Sequence, residues 1–138
     1  MGRSGLTGVL LDTHVLAWAL LDSARIATKT RELISHAGAV WVSAISLYEI
    51  GLKVRIGKWP EMSPYIHSLG GLVEGQGARW LAVDDGVALR AALMDWTHRD
   101  PFDRMIAATA IELDVRIITA DVQFDELSSY PGWRGRIW

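Results

Sequence analysis

Cysteine is absent from the 138 residues, so neither a disulfide nor a thiolate metal site can form, and the chain suits a reducing cytosol. Excess charge of either sign is missing too. Fourteen Lys and Arg face 16 Asp and Glu for a formal net charge of −2, which leaves no global basic field, so any nucleic-acid contact has to be local. Long apolar runs are also lacking. The opening MGRSGLTG is rich in Gly and Ser, and the stretch after it is interrupted by Asp12 and His14. Neither a signal peptide nor a membrane span is expected, and a soluble cytoplasmic protein is. Four His without paired metal spacing argue against a zinc site. GGLVEGQG lacks the Lys-Ser/Thr of a phosphate loop and reads as a plain loop, while no Gly-x-Ser-x-Gly elbow suggests a serine hydrolase. An aspartyl-nucleophile phosphatase would place a second Asp two residues after Asp12, where the chain has His14.

What the chain has in quantity is apolar surface. Half the residues are hydrophobic and seven are Trp, generous for this length, which suggests that a partner or a second copy covers part of the surface. The length suits a single domain over residues 1–138, with 1–7 as a flexible N-terminal extension. GVLLD is a short apolar run ending in Asp12, followed by the helical spacing of THVLAWALLD. AVWVS ends in Ser43, which can cap the helix AISLYEIGLKVRIG. MSPYIHSLGGLVEGQG reads as a helix with Ser63 as N-cap and Pro64 at its first position, leaving through glycines from Gly70 to Gly77. RWLAV precedes DDGVALRAALMDW, capped by Asp84. HRDPFDRMIAATAIELD has Asp100 and Pro101 to start a helix, VRIITAD is a further strand ending in Asp121, VQFDEL is a helical turn, and RGRIW is an edge strand. Five short strands alternating with helices predict an α/β domain whose mostly parallel sheet is covered on both faces.

Ligands in such sheets bind beyond the carboxyl ends of the strands. Asp12 and Asp121 sit at such ends, Glu49 lies in the helix after the second strand, and Asp103 stands in the first turn of a helix facing the same way. Each has an ordinary explanation. Asp12 and Asp121 can cap the helices that follow, Glu49 can pair with Lys53, and Asp100 with Asp103 can imitate a capping box. Independent caps, however, have no reason to gather at one sheet edge. At about 5 to 6 Å and an effective dielectric near 20, each carboxylate pair repels by roughly 3 kcal/mol. Four acids together would rival a domain's stability of about 5 to 15 kcal/mol unless they hold protons or bind a cation. A hard divalent ion such as Mg²⁺ or Mn²⁺ is the natural counter-charge.

LLDTHVLAWAL with Asp12, SAISLYEIGLKVRIGKW with Glu49, HRDPFDRMIAATA with Asp103 and ITAD with Asp121 together resemble the PIN-domain ribonucleases, specifically the VapC-type toxins of bacterial toxin–antitoxin pairs. The resemblance runs from about Val9 to the C-terminus. It implies a three-layer α/β/α sandwich around a five-stranded parallel sheet, and a Mg²⁺- or Mn²⁺-dependent endoribonuclease leaving 3′-hydroxyl and 5′-phosphate ends. Asp12 and Asp103 match the principal metal carboxylates, and Glu49 and Asp121 match the acids that complete the site directly or through water. Asp100 is a helix cap or a support behind the ligands. Thr119 and Ser43 match small hydroxyl positions that orient a carboxylate or bond the backbone. The resemblance also implies a cognate antitoxin whose tail covers the cleft, and a homodimer of the toxin.

Around this centre, Lys53, Arg55 and Lys58 form a run of cations beside Trp59, read either as an RNA or antitoxin contact with a stacking ring, or as a solvated helix end. Arg104 is expected to meet a phosphate or an antitoxin carboxylate. Trp18, Trp59 and Trp96 are candidates for an antitoxin groove, a dimer face or plain core. His98 is a surface or capping residue or a proton shuttle. Two other readings stay open: a non-catalytic module of the same fold gripping a basic partner, and a DNA-directed nuclease.

Overall fold

Val9, Leu10 and Leu11 are all buried, as the central strand of a covered parallel sheet requires, and they form β1 (Val9–Leu11). The computed structural model describes residues 8–138, so the expected extension over residues 1–7 lies outside the described residues. On one side β1 pairs with β2 (Val40–Ser43), which pairs in turn with β3 (Ala78–Leu81). On the other it pairs with β4 (Arg116–Ile118), and β4 carries the edge strand β5 (Arg136–Ile137). The sheet order is β3-β2-β1-β4-β5 and every pairing among the described residues is parallel, firmer than the mostly parallel sheet expected.

The strand alternation divides the core into two layers. Val9 and Leu11 pack on one face with Val15, Ile50, Met62 and Leu69. Leu10 and Ile117 pack on the other with Val87, Ile106 and Phe124. The first face is covered by α1 (Thr13–Leu20), α2 (Thr28–His36), α3 (Ala44–Arg55) and α4 (Leu69–Gly75), the second by α5 (Asp85–Leu93) and α6 (Pro101–Leu113). Each of these fully buried aliphatic or aromatic side chains contributes about 1.5 to 3 kcal/mol. Gly8 leads into β1 because a Cβ there would lie 2.4 Å from Trp41 Nε1, a contact no other residue escapes.

Most caps fall where the sequence places them. Ser43 accepts from the Ile45 N–H at the head of α3, Asp84 from Val87 at the head of α5, and Asp100 from Phe102 at the head of α6. The segment after Trp59 differs from expectation. Ser63 and Pro64 lie inside a 3-10 turn, Pro60–Tyr65, and cap nothing, because Pro60 already starts that turn. The glycines read as a loop belong to α4, since Leu69 and Val73, one turn apart and almost fully buried, hold the helix to the core despite Gly70, Gly71 and Gly75. Trp80 Nε1 pins that helix further by donating to the Gly70 carbonyl.

Candidate active site

From β1 the chain steps outward through β2 to β3, then returns across the sheet to β4 and β5. The reversal lies between β1 and β4, where a crevice opens beyond the strand ends. Asp12 sits on its floor, its N–H bonded to the Ile118 carbonyl at 3.1 Å. Its Oδ1 accepts from the Thr13 N–H at 2.7 Å and so caps α1. Its Oδ2 accepts from the Thr119 hydroxyl, also at 2.7 Å. The same hydroxyl oxygen accepts the Asp121 N–H at 3.0 Å, so one buried side chain ties the ends of β1 and β4 together. Asp121 caps the 3-10 turn Val122–Leu127 through the Gln123 N–H.

Glu49 reaches the crevice from α3. It is 3% exposed, with Oε2 taking a 2.9 Å bond from Lys53 Nζ and Oε1 buried without a partner. Asp103 comes from the first turn of α6, aimed by the cap that Asp100 makes through the Phe102 and Asp103 N–H groups. Its Oδ2 shares a 2.7 Å hydrogen bond with His98 Nε2. Asp12, Glu49, Asp103 and Asp121 line a single cleft of about 390 Å³, together with Asp100, Lys53 and His98. The ordinary roles do not keep these groups apart: three caps and an ion pair are made by side chains that share one cavity.

Burial raises the Asp12 carboxyl above its usual range, and the nearby Glu49 charge adds to this; the bonds from Thr119 and Thr13 and the charge of His14 offset it only in part. Asp103 is pushed up to about 7, first by burial and then by the charges of Asp100 and Asp12, against the lowering bond from His98. An unpaired buried acceptor such as Glu49 Oε1 costs about 1 to 3 kcal/mol, and more when charged. Acids lining one cleft, two of them with raised affinity for protons and a third with an orphaned acceptor, suit a hard divalent cation of the Mg²⁺ or Mn²⁺ kind. His98, Asp100 and Asp103 offer ligand atoms that lie within 4.8 Å of one another.

Several expected contacts are placed elsewhere. Ser43 is spent on the α3 cap and orients no acid. Arg104 does not face the cleft: its guanidinium donates to the carbonyls of Ala91, Met94, Trp96 and His98 at 2.5 to 2.9 Å, buttressing the loop before α6. Trp59 is 9% exposed, too buried to receive a base, and Trp96 is equally part of the core. Arg55 and Lys58 are exposed outside the cleft lining, which leaves Lys53 as the cation of that run at the site. His98 finds its place beside Asp103. His14, Trp18 and Gln123 also line the cleft; of these the sequence singles out only Trp18, as a candidate for an antitoxin groove, and the spacing of His14 from Asp12 is the one signal that places that histidine.

An acid-lined crevice at the reversal of a 3-2-1-4-5 parallel sheet defines a class, and the chain belongs to it: the PIN domain profile matches residues 9–129, and this is a PIN-domain protein. Ribonuclease VapC22 of Mycobacterium tuberculosis is 34% identical over 117 residues, covering 84% of this chain and 88% of that protein. Among solved structures, DNA-bound VapBC from Salmonella typhimurium superposes with a TM-score of 0.66 at 20% identity, covering 94% of this chain and 96% of that one. VapBC2 from Rickettsia felis, bound to a promoter DNA fragment, gives 0.62 at 13% identity over 94% of this chain and 97% of its own. These structural likenesses carry the fold.

Proposed function

We infer that the protein is an endoribonuclease toxin of the VapC kind, dependent on Mg²⁺ or Mn²⁺, acting in the cytoplasm and held in check by a cognate antitoxin. The observation that carries this reading is the convergence of Asp12, Glu49, Asp103 and Asp121 on one cleft. The relative of 34% identity is a ribonuclease, and the similar folds from Salmonella typhimurium and Klebsiella pneumoniae come from VapBC and toxin-antitoxin complexes, which supports an antitoxin partner here. A homodimer of the toxin belongs to the same proposal.

Asp12 and Asp103 would hold the cation, with Glu49 and Asp121 completing the site directly or through water. When bound, such an ion acidifies water and offsets charge building on a phosphate. The chain's own residues do the positioning. Thr119 fixes the rotamer of Asp12, Asp100 aims Asp103 from the head of α6, and Lys53 beside Glu49 brings a positive charge to where a phosphate would lie. His98 Nε2, hydrogen-bonded to Asp103 Oδ2 at 2.7 Å, helps to fix the orientation of that carboxyl.

Incubating the purified protein, freed of any copurified partner, with total bacterial RNA in Mg²⁺, Mn²⁺ or EDTA and sequencing the new 5′ ends tests the reading. Discrete metal-dependent cuts are expected. Matched DNA separates a DNA-directed nuclease, since carboxylate–metal chemistry alone does not read the 2′-hydroxyl. Absence of cuts in both, from folded protein, would leave a binding module as the better account.

A further inference from the structure

One wall of the cleft is aromatic. His14, in the first turn of α1, is exposed, yet its ring lies 5.0 Å from that of the buried Trp59 with 31° between planes. One helical turn on, the half-buried Trp18 approaches the same imidazole at 5.8 Å and packs against Trp138 at 5.9 Å. Cations alternate with these rings: Lys53 Nζ stands 5.5 Å from the Trp59 ring, and the Arg25 guanidinium stands 5.6 Å from Trp18. Lys53 also bonds Glu49, so the ladder starts at the acid cluster and leads away from it. His14 and Trp18 both line the cleft.

Core packing does not account for this arrangement. Histidine on an apolar helix face is ordinarily buried and bonded, whereas this ring leans at 31° on a neighbouring indole while it remains open to the cleft beside Asp12. Rigid, solvent-facing rings interleaved with cations are how proteins bind single-stranded nucleic acid: bases stack on the rings and phosphates meet the charges. A duplex keeps its bases stacked on each other and has none to offer.

We propose that His14 and Trp18 form a base-stacking subsite that receives an unpaired nucleobase next to the scissile phosphate. This rests on the ribonuclease reading above. Trp59 is the buried backing that keeps the imidazole oriented, and Lys53 and Arg25 attract the backbone on either side.

Binding of labelled RNA decamers to the Asp103→Asn protein tests the subsite without turnover. The probes are a single-stranded oligoadenylate, its duplex with oligouridylate, and an abasic decamer of equal charge. The single strand is expected to bind about tenfold more tightly than the other two, in line with one or two stacked bases. In the double variant Asp103→Asn, His14→Ala this preference falls away while abasic binding is unchanged, and His14→Phe restores it. Equal affinity for abasic and base-bearing strands, or a preference that survives His14→Ala, would reduce the rings to packing and overturn the subsite. Cleavage by the wild-type protein is read separately, so that outcome leaves the nuclease assignment standing.

Discussion

The Thr119 hydroxyl donates to Asp12 Oδ2 at 2.7 Å, joining residues 107 positions apart, and its oxygen accepts the Asp121 N–H in turn. Through this one side chain the carboxylate after β1 and the backbone after β4 share a reference point at the reversal of the sheet.

Thr119→Val keeps the shape and removes the bond. Cleavage should fall roughly 10- to 100-fold, as partners that orient ligands usually show, and about 1 to 3 kcal/mol of stability should go with it, because Asp12 Oδ2 is left buried without its donor. Thr119→Ser should recover most of it. A Val variant as active as the wild type would mean that Asp12 needs no such support.

Asp12→Asn and Asp103→Asn should each abolish cleavage and leave the circular dichroism spectrum unchanged. Because both carboxyls are buried among other acids, each variant should be at least as heat-stable as the wild type in EDTA. Unfolding of both would identify these acids as structural caps instead.

Stability without metal should depend on pH in a direction opposite to the usual salt-bridged carboxylate. Folded Asp103 titrates at about 7 against 3.8 for an unperturbed Asp, so between these values the folded state keeps a proton that the unfolded state loses. The stabilisation from that proton is full below 3.8 and lost as pH rises through about 7; Asp12 shifts the same way. Melting temperatures in EDTA should therefore decline between about pH 4 and pH 7 and level off above that, by an amount worth a few kcal/mol at most, and Asp103→Asn should flatten the curve. Parallel curves for the two proteins would remove Asp103 as the cause.

Arg104→Met strips four backbone carbonyls of their charged donor. A loss of about 3 kcal/mol in urea unfolding is expected, with faster amide exchange in residues 94–99. Unchanged stability combined with weakened RNA binding would return Arg104 to the phosphate role that its position in the sequence suggests.

Asp12 and Asp121 were legible because each ends a β-rich apolar run, and Asp103 because Asp100 and Pro101 announce its helix. In all three cases local chemistry sets the position. Helix α2 carried no such signal: TKTRELISH is polar, and its N-cap is Ala27, which offers no side-chain bond. Helix α4 was hidden by its glycines and is held by the tertiary burial of Leu69 and Val73. Arg104, Trp59 and His98 were misplaced or unplaced for a related reason. The partners of Arg104 and Trp59 are backbone carbonyls of the segment before α6 and a histidine ring from another helix, brought near by the folded chain. His98 meets an acid only five residues on, across a helix start that has no fixed side-chain periodicity.

Whether the four acids make one metal site is tested most directly by calorimetric titration of Mn²⁺ into the wild-type and Asp103→Asn proteins near pH 6.5, in buffers of differing ionisation enthalpy. Saturable binding that releases protons from the wild type, and is strongly weakened in the variant, is the predicted result, since raised carboxyls must give up protons to the ion. Absence of binding, or identical isotherms for the two proteins, would contradict it.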